Sequence, residues 1–369
     1  MKVRVVVDGI PNDVTGGASS AVKQTLDYLK SCSYIELIEE PRIRSHFLRY
    51  LDKFLTSSFF LDLAPRKLQI TTRYQKKINA EKANVVFYTN PTNNARLLSE
   101  TSFFTTIWDL GHLELSWLAE FKENRWSQKT ESQLRNNLYR AKYIFVDSNE
   151  TAAKASQIYG ISPRKFIVIP FIPRVEYLNK LSSRVKKQKD YAIYPANFWQ
   201  HKNHIILFRA MRQLLDSDQI PVKLVLTGFD TGFGENLKRQ IKNLRLQEFV
   251  EIHDFVSLES LIELYMGAKI TVYPSLLGPT NIPPLESISL GIPVFASNES
   301  MTSTSLSGLS GIKLLSAQNE TEWAKILNRK FIPRSLDAKK NQRVLENIKS
   351  ENFTKIQAVM FEEYKNLLQ

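Results

Sequence analysis

The chain holds one cysteine, Cys32, in 369 residues. A single thiol can close neither an internal disulfide nor a zinc-finger cluster. No run reaches the ~18–20 apolar residues of a membrane span. The opening stretch, MKVRVVVDGIPNDVTGG, has only a few apolar residues before Asp8. That is too short for the core of a signal peptide, so the expected compartment is the cytosol. Fixed-period repeats and low-complexity tracts are also absent, which excludes solenoid and fibrous architectures. With 43% hydrophobic and 24% charged residues the chain is globular rather than disordered. At ~100–200 residues per domain the length suggests two domains, each able to bury its own core.

Acidic residues are in deficit: 37 Asp and Glu against 50 Lys and Arg leave a net charge of +13. The excess is spread over both halves. Such a field attracts anions of several kinds, including nucleic acid, phospholipid and phosphorylated small molecules. Recognised nucleic-acid-binding motifs are missing and the aromatic residues fall in apolar runs, so no nucleic-acid partner is expected.

Hydrophobic patterning places strands at Val3–Val7, Asn84–Tyr88, Phe103–Trp108, Tyr143–Asp147 and Phe166–Ile169. A turn-rich loop, Asp8 to Thr15, and then Gly16 and Gly17 separate the first strand from a helix that starts near Ser19. Further helices are expected at Asn137–Ala141 and Glu150–Tyr159. The polar stretch Leu181–Asp190 (LSSRVKKQKD) reads as a linker between residues 1–180 and 191–352. A second series of strands follows at Tyr191–Ala196, Lys223–Thr227, Val250–His253, Ile270–Tyr273 and Val294–Ala296. Helices alternate with them at Ile205–Leu215, Asn236–Asn243, Leu258–Met266 and Pro284–Ser289. This spacing predicts doubly wound parallel sheets. The last segment, 353–369, has apolar residues at near-helical spacing from Ile356 to Leu368 and reads as a C-terminal helix.

Ligands of such sheets bind outside the carboxyl ends of the strands. Two loops there carry candidate chemistry. In LLGPTNIPPLESISLGIPVFAS, Leu276–Ser297, backbone N–H groups at Gly278, Thr280, Asn281 and Ile282 open a helix and could face a phosphate. Glu286, one turn further on, could accept hydrogen bonds from a vicinal diol such as a ribose. The ordinary alternative is a strand–turn–helix junction with a solvated Glu. In YPANFWQHKNH, Tyr194–His204, His201 and Lys202 precede a helix for which Asn203 is the expected N-cap. Lys202 could act as a point charge on a diphosphate, or be a surface lysine beside a cap. Asp216-Ser217-Asp218 has the form of an Asp-x-Asp metal motif but sits at a helix end and reads as a solvated turn. Gly228 and the glycines at 232 and 234 depart from dinucleotide-fingerprint spacing; Gly228 reads as a close backbone approach to a ligand. The sequons at Asn149, Asn298, Asn319 and Asn352 mean little without a secretory signal. Arg42–Leu55 (RIRSHFLRYLDKFL) is basic and amphipathic as a helix, suited either to an anionic membrane surface or to core packing.

These residues together carry a resemblance. YPANFWQHKNH, LVLTGFDTGFGENLK and HDFVSLESLIELYMGAKITVYPSLLGPTNIPPLESISLGIPVFAS are similar to the C-terminal half of retaining GT-B glycosyltransferases of family 4. IWDLGHLELSWLAEF and LYRAKYIFVDSNETAAKASQIYGISPRKFIVIPF resemble the N-terminal half. The resemblance implies an α/β GT-B fold, two Rossmann-like domains facing a central cleft. The acceptor domain would be 1–180 and the nucleotide-sugar donor domain 191–352, with helix 353–369 packing back on the first. It further implies transfer of a hexose or deoxyhexose, mannose or rhamnose being the guesses. The transfer would run from a nucleoside-diphosphate sugar to a saccharide acceptor, polyprenyl-linked in surface-polysaccharide assembly. The enzyme would work at the inner face of the cytoplasmic membrane, in peripheral contact with anionic lipid, and use neither cofactor nor metal.

Residue by residue, Glu286 matches the second Glu of the family's Glu-x7-Glu motif, and the first falls on Gly278 in a Gly-Pro-Thr-Asn variant. The family's phosphate-binding Arg and Lys fall near Asn197 and on Lys202. Gly16 and Gly17 match its N-terminal glycine loop. Its active-site histidine falls near Trp108, leaving Asp109 or His112 as the acceptor-orienting candidate. A cap for Asp109 and a core position for His112 are the structural alternatives. Donor contacts are thus expected at Gly16, Gly17, Asn197, His201, Lys202, Gly228, Gly278, Thr280, Asn281, Ile282 and Glu286. Catalytic candidates are Asp109, His112 and Lys202. A retaining reaction of this kind needs no protein nucleophile, since the leaving diphosphate can take the hydroxyl proton. The missing first Glu, Arg and His keep open a catalytically degenerate partner subunit, and the shared architecture keeps open a sugar-nucleotide epimerase.

Overall fold

The structure is a computed structural model that describes residues 2–8, 17–40, 71–122, 125–182, 191–278, 282–299 and 309–369. The chain divides into two compact units. The first comprises Met1–His112, Arg125–Pro170 and Ser350–Gln369, and the second Leu113–Asn124 and Phe171–Lys349. Neither is continuous in sequence. Residues 171–180 group with the second unit, although the linker reading assigns them to the first. Leu181 and Ser182 end the helix Val175–Ser182 instead of opening a linker, and the rest of that segment lies outside the described residues.

The first unit is a six-stranded sheet in the order β2-β1-β3-β4-β5-β6. Its strands are β1 Val3–Asp8, β2 Ile35–Glu39, β3 Val85–Tyr88, β4 Ser102–Ile107, β5 Tyr143–Val146 and β6 Phe166–Val168. Every neighbouring pair is parallel. The inner strands are near-continuous apolar runs, as a sheet covered on both faces requires. All four residues of β3 are buried. The edge strand β2 reads Ile-Glu-Leu-Ile-Glu, with both glutamates off the core. Helix Asn149–Tyr159 shows how the local sequence sets boundaries. Ser148 Oγ accepts from Thr151 N at 3.1 Å at its start, and Gly160 takes φ +64° at its end.

The second unit has the order β12-β11-β10-β7-β8-β9, again all parallel. Its strands are β7 Tyr191–Pro195, β8 Lys223–Thr227, β9 Val250–His253, β10 Ala268–Tyr273, β11 Val294–Ser297 and β12 Ile312–Leu315. The expected doubly wound α/β fold is present in both units. Trp323 is fully buried and donates its indole N–H to Ser316 O at 2.9 Å. It anchors the core that helix His204–Asp216 shares with helix Glu320–Leu327.

The final helix runs over Ala338–Leu368, well before its expected start at 353. Its first half is polar, and the signal for its start is Asp337, whose Oδ1 accepts from Lys340 N at 3.0 Å. From Ser350 onward the helix belongs to the first unit, where Ile356, Val359 and Met360 are buried against Val3, Val5 and Leu29. Among the described residues no helix is long and apolar enough to cross a membrane.

Candidate functional site

The order of each sheet locates its crevice. In the second sheet the winding reverses between β7 and β10, and in the first between β1 and β3. The loops leaving the carboxyl ends of those strands line the ligand crevice of an open α/β sheet. In the second unit these are the loops that begin at Ala196 and Pro274, the two that carry Lys202 and Gly278.

Short bonds stitch these loops together. His201 O accepts from Leu276 N at 2.8 Å. Asn203 stands at the N-cap position, but its side chain caps no helical N–H. It takes a left-handed conformation (φ +55°), and its amide donates to Pro274 O at 3.2 Å and Ala317 O at 3.0 Å. Tyr194 OH donates to Lys202 O at 2.7 Å. Lys202 is thereby fixed in the single turn Gln200–Lys202. Its Nζ lies 3.2 Å from Tyr273 Oη and 3.4 Å from Ser275 Oγ, and 5.4 Å from the Tyr273 ring centroid. These partners are neutral, and no carboxylate pairs with Lys202 among the described residues. A half-buried ammonium held by neutral groups is a ready counter-charge for an anion.

The other donor-side candidates sit around this turn. Asn197 Oδ1 accepts from Phe229 N at 3.0 Å, so its side chain braces the loop after β8. Gly228 lets that loop cross the β7 loop: a Cβ there would meet Ala196 O at 2.2 Å and Asn197 N at 2.8 Å. The close approach is therefore backbone against backbone. Gly278 has φ +127°, a conformation that side chains of L-residues rarely adopt. A glutamate at this position would be strained on this backbone. Ile282 is buried and begins the helix Ile282–Ser289. Glu286, half-buried in that helix, lies 2.8 Å from Tyr265 Oη. Burial pushes its carboxyl up to about 7, against the lowering effect of the Tyr265 hydroxyl. Thr280, Asn281 and Gly16 lie outside the described residues, as does the basic stretch Arg42–Leu55.

His201 turns away from the role of a lone cation. Its Nδ1 is 2.7 Å from Glu120 Oε1, and its ring stacks on Phe121 and Trp199. Glu120 comes from Leu113–Asn124, the first-half segment that groups with the second unit. Sequence reading passes over this residue, because an acid in a four-residue helix has no motif of its own. Beside Lys202, His204 is fully buried with neither ring nitrogen hydrogen-bonded, wedged between Tyr194 and Phe198. Burial, and then the charges of Lys202 and His201, push its pKa down to about 3.

In the first unit, Gly17 opens helix Gly17–Ser31 beyond β1. Asp109 Oδ1 accepts from Gly111 N at 2.9 Å and so caps the short helix Gly111–Glu114. His112 is buried, with Nε2 3.0 Å from Glu131 Oε2. Glu131 also accepts from Tyr159 OH at 2.7 Å and pairs with Arg135 Nε at 2.6 Å. Both side chains thus have structural partners of the kind their ordinary alternatives describe. Trp108 donates to Thr89 O at 2.9 Å and Asn90 Oδ1 at 2.8 Å. At the end of β1, burial and then Glu40 push the Asp8 carboxyl up to about 7, and the Asn94 amide reaches both acids.

Paired doubly wound sheets, one in the order 2-1-3-4-5-6 and one with its reversal between the first and fourth strands, make this a GT-B fold. Residues 178–329 match the family described as Glycosyl transferases group 1. O-antigen chain mannosyltransferase RfbU of Salmonella typhimurium is 26% identical over 166 residues, 45% of this chain. The chain spans only 44% of that curated relative's length. Anabaena Alr3699/HepE, solved in complex with UDP and glucose, shares 13% identity at a TM-score of 0.60, covering 99% of each chain. WaaG, a glycosyltransferase involved in lipopolysaccharide biosynthesis, gives 12% identity and a TM-score of 0.59, covering 97% of this chain and 95% of its own. The structural likenesses show the GT-B fold.

Proposed function

We propose that this protein is a retaining glycosyltransferase that moves a hexose, with mannose as the first candidate, from a nucleoside-diphosphate sugar to a saccharide acceptor. The observation that carries the reading is the placement of Lys202. It is a half-buried ammonium without a carboxylate partner among the described residues, on the loop leaving β7, beside the loop leaving β10. In this reading Lys202 neutralises the charge that grows on the leaving diphosphate, and the Ile282 N–H, at the positive end of helix Ile282–Ser289, adds to it. Glu286 accepts from the donor ribose. The diphosphate itself takes the acceptor proton, so chemistry rests on positioning and charge. The relative that is an O-antigen chain mannosyltransferase supports mannose and an O-antigen-like acceptor; in the same reading that acceptor is lipid-linked and met at the inner face of the cytoplasmic membrane.

The test is a thermal-shift screen against UDP-, GDP- and dTDP-sugars, with Lys202→Ala and Glu286→Ala beside the native chain. A ligand that binds the folded state raises its melting temperature. The expected result is a shift for one base, reduced in both variants. Equal shifts in the native chain and both variants would refute this donor site. The anomeric configuration of the transferred sugar then tests retention.

One observation favours a second reading, a partner subunit without transfer activity. The φ of +127° at Gly278 is unsuited to a glutamate, the residue that the resemblance would align there. Nucleotide binding with no nucleoside diphosphate released in the presence of acceptor would select it.

A further inference from the structure

Glu120 belongs to the first half of the sequence but docks on the turn that carries Lys202. Its Oε2 accepts from Gln200 N at 2.9 Å, and its Oε1 from His201 N at 3.1 Å. Oε1 also meets His201 Nδ1 at 2.7 Å. In return, Gln200 Oε1 accepts from Ala119 N at 3.1 Å. Beneath these bonds Leu115, Leu118 and Phe121 form a buried apolar cluster with Leu277, from the loop after β10. Segment 113–122, the lysine turn and the glycine loop are thus one unit: the segment touches both loops, and His201 O joins them through Leu276 N.

The carboxylate caps backbone N–H groups that the short turn leaves without helical partners. Burial alone would raise its pKa. Hydrogen bonding and charge from His201 outweigh that, and the carboxyl is held below the usual range. The acid is therefore ionised when the turn is formed. Without it, two N–H groups and an imidazole lose their acceptor directly beside Lys202.

We infer that Glu120 is a positioning residue for the diphosphate: it clamps the turn Gln200–Lys202 so that the Lys202 ammonium is held ready for the donor. The inference rests on the donor-site reading above. It adds that the first half of the chain controls donor affinity through a contact with the loop, without touching the ligand.

A double-mutant cycle read by calorimetric titration of UDP, GDP and dTDP tests it. Glu120→Gln keeps the size but offers an N–H₂ where N–H donors converge. It should weaken the nucleotide that binds the native chain about tenfold. Glu120→Asp keeps the charge and should weaken binding by a smaller factor. In a Lys202→Ala background, Glu120→Gln should change affinity less than about threefold, because the group it positions is gone. Equal factors in both backgrounds would mean that the effect does not act through Lys202 and would overturn the inference. So would native-like affinity of Glu120→Gln in the Lys202 background. The melting transition of each variant checks folding, and where Glu120→Gln does not fold the same cycle is run with Glu120→Asp and decides the matter. If the native chain binds none of the three diphosphates, the donor-site reading fails and takes this inference with it. Native binding that is insensitive to Glu120 removes the inference alone.

Discussion

His204 makes one consequence of burial measurable. The folded imidazole has a pKa of about 3, against 6.5 for the free side chain. A histidine pushed down on folding binds fewer protons in the native state than in the unfolded chain. It costs no stability above pH 6.5, and its cost grows as pH falls from 6.5 toward 3. At pH 5 the unfolded chain gains about 2 kcal/mol from protonating this residue, while the folded chain gains almost nothing. In a domain of this size that corresponds to a melting temperature lower by roughly 4–8 °C. His204→Phe keeps an aromatic ring between Tyr194 and Phe198 and has nothing to titrate. Urea unfolding of both proteins at pH 7 and pH 5 gives the contrast. The native chain should lose about 2 kcal/mol more than the variant between these conditions. Equal losses would refute the reasoning, and would mean that the ring finds a proton acceptor in the native state.

Glu286 should behave in the opposite sense. Its carboxyl is pushed up to about 7, so its cost to stability is absent near pH 4.5 and complete above pH 7. Glu286→Gln should therefore raise the melting temperature more at pH 8 than at pH 5, by about 2–4 °C for each kcal/mol relieved. Gly278→Glu puts a side chain on a backbone at φ +127°. It should lower the melting temperature without increasing sugar transfer in a nucleoside-diphosphate release assay. Trp323→Ala empties the centre of the second core and should cost about 3–5 kcal/mol in urea unfolding.

The parts of the fold that sequence makes legible are those buried on both faces. Val3–Val7, Tyr191–Ala196 and Lys223–Thr227 are apolar runs long enough to read as strands, and the structure pairs them in parallel. Two strands escape, Ile35–Glu39 and Ile312–Leu315, each at one edge of its sheet. Half-exposed edges carry charge, which breaks the apolar run. Helix Arg125–Leu138 hides for a similar reason. Only Leu134, Asn137 and Leu138 of it are buried, so its earlier turns look like polar loop. At the site, the loops with Lys202 and Gly278 can be found because they follow readable strands. What cannot be read is which side chains serve other side chains. Asn203 looks like a cap and is a cross-brace, and Glu120 has no local signal because its partners are 80 and 81 residues away.

That sequence separation has a consequence for the ribosome. Glu120 emerges 80 residues ahead of Gln200, which at 5–20 residues per second is a delay of about 4–16 s. Through this interval Leu115, Leu118 and Phe121 have no Leu277 to cover them. The first sheet waits longer still, since Ile356, Val359 and Met360 complete its core from the last turns of the chain. Neither unit is finished before the residues around Ser350 have been made. Nascent chains stalled before residue 350 should therefore expose apolar surface on the N-terminal sheet and recruit chaperones there.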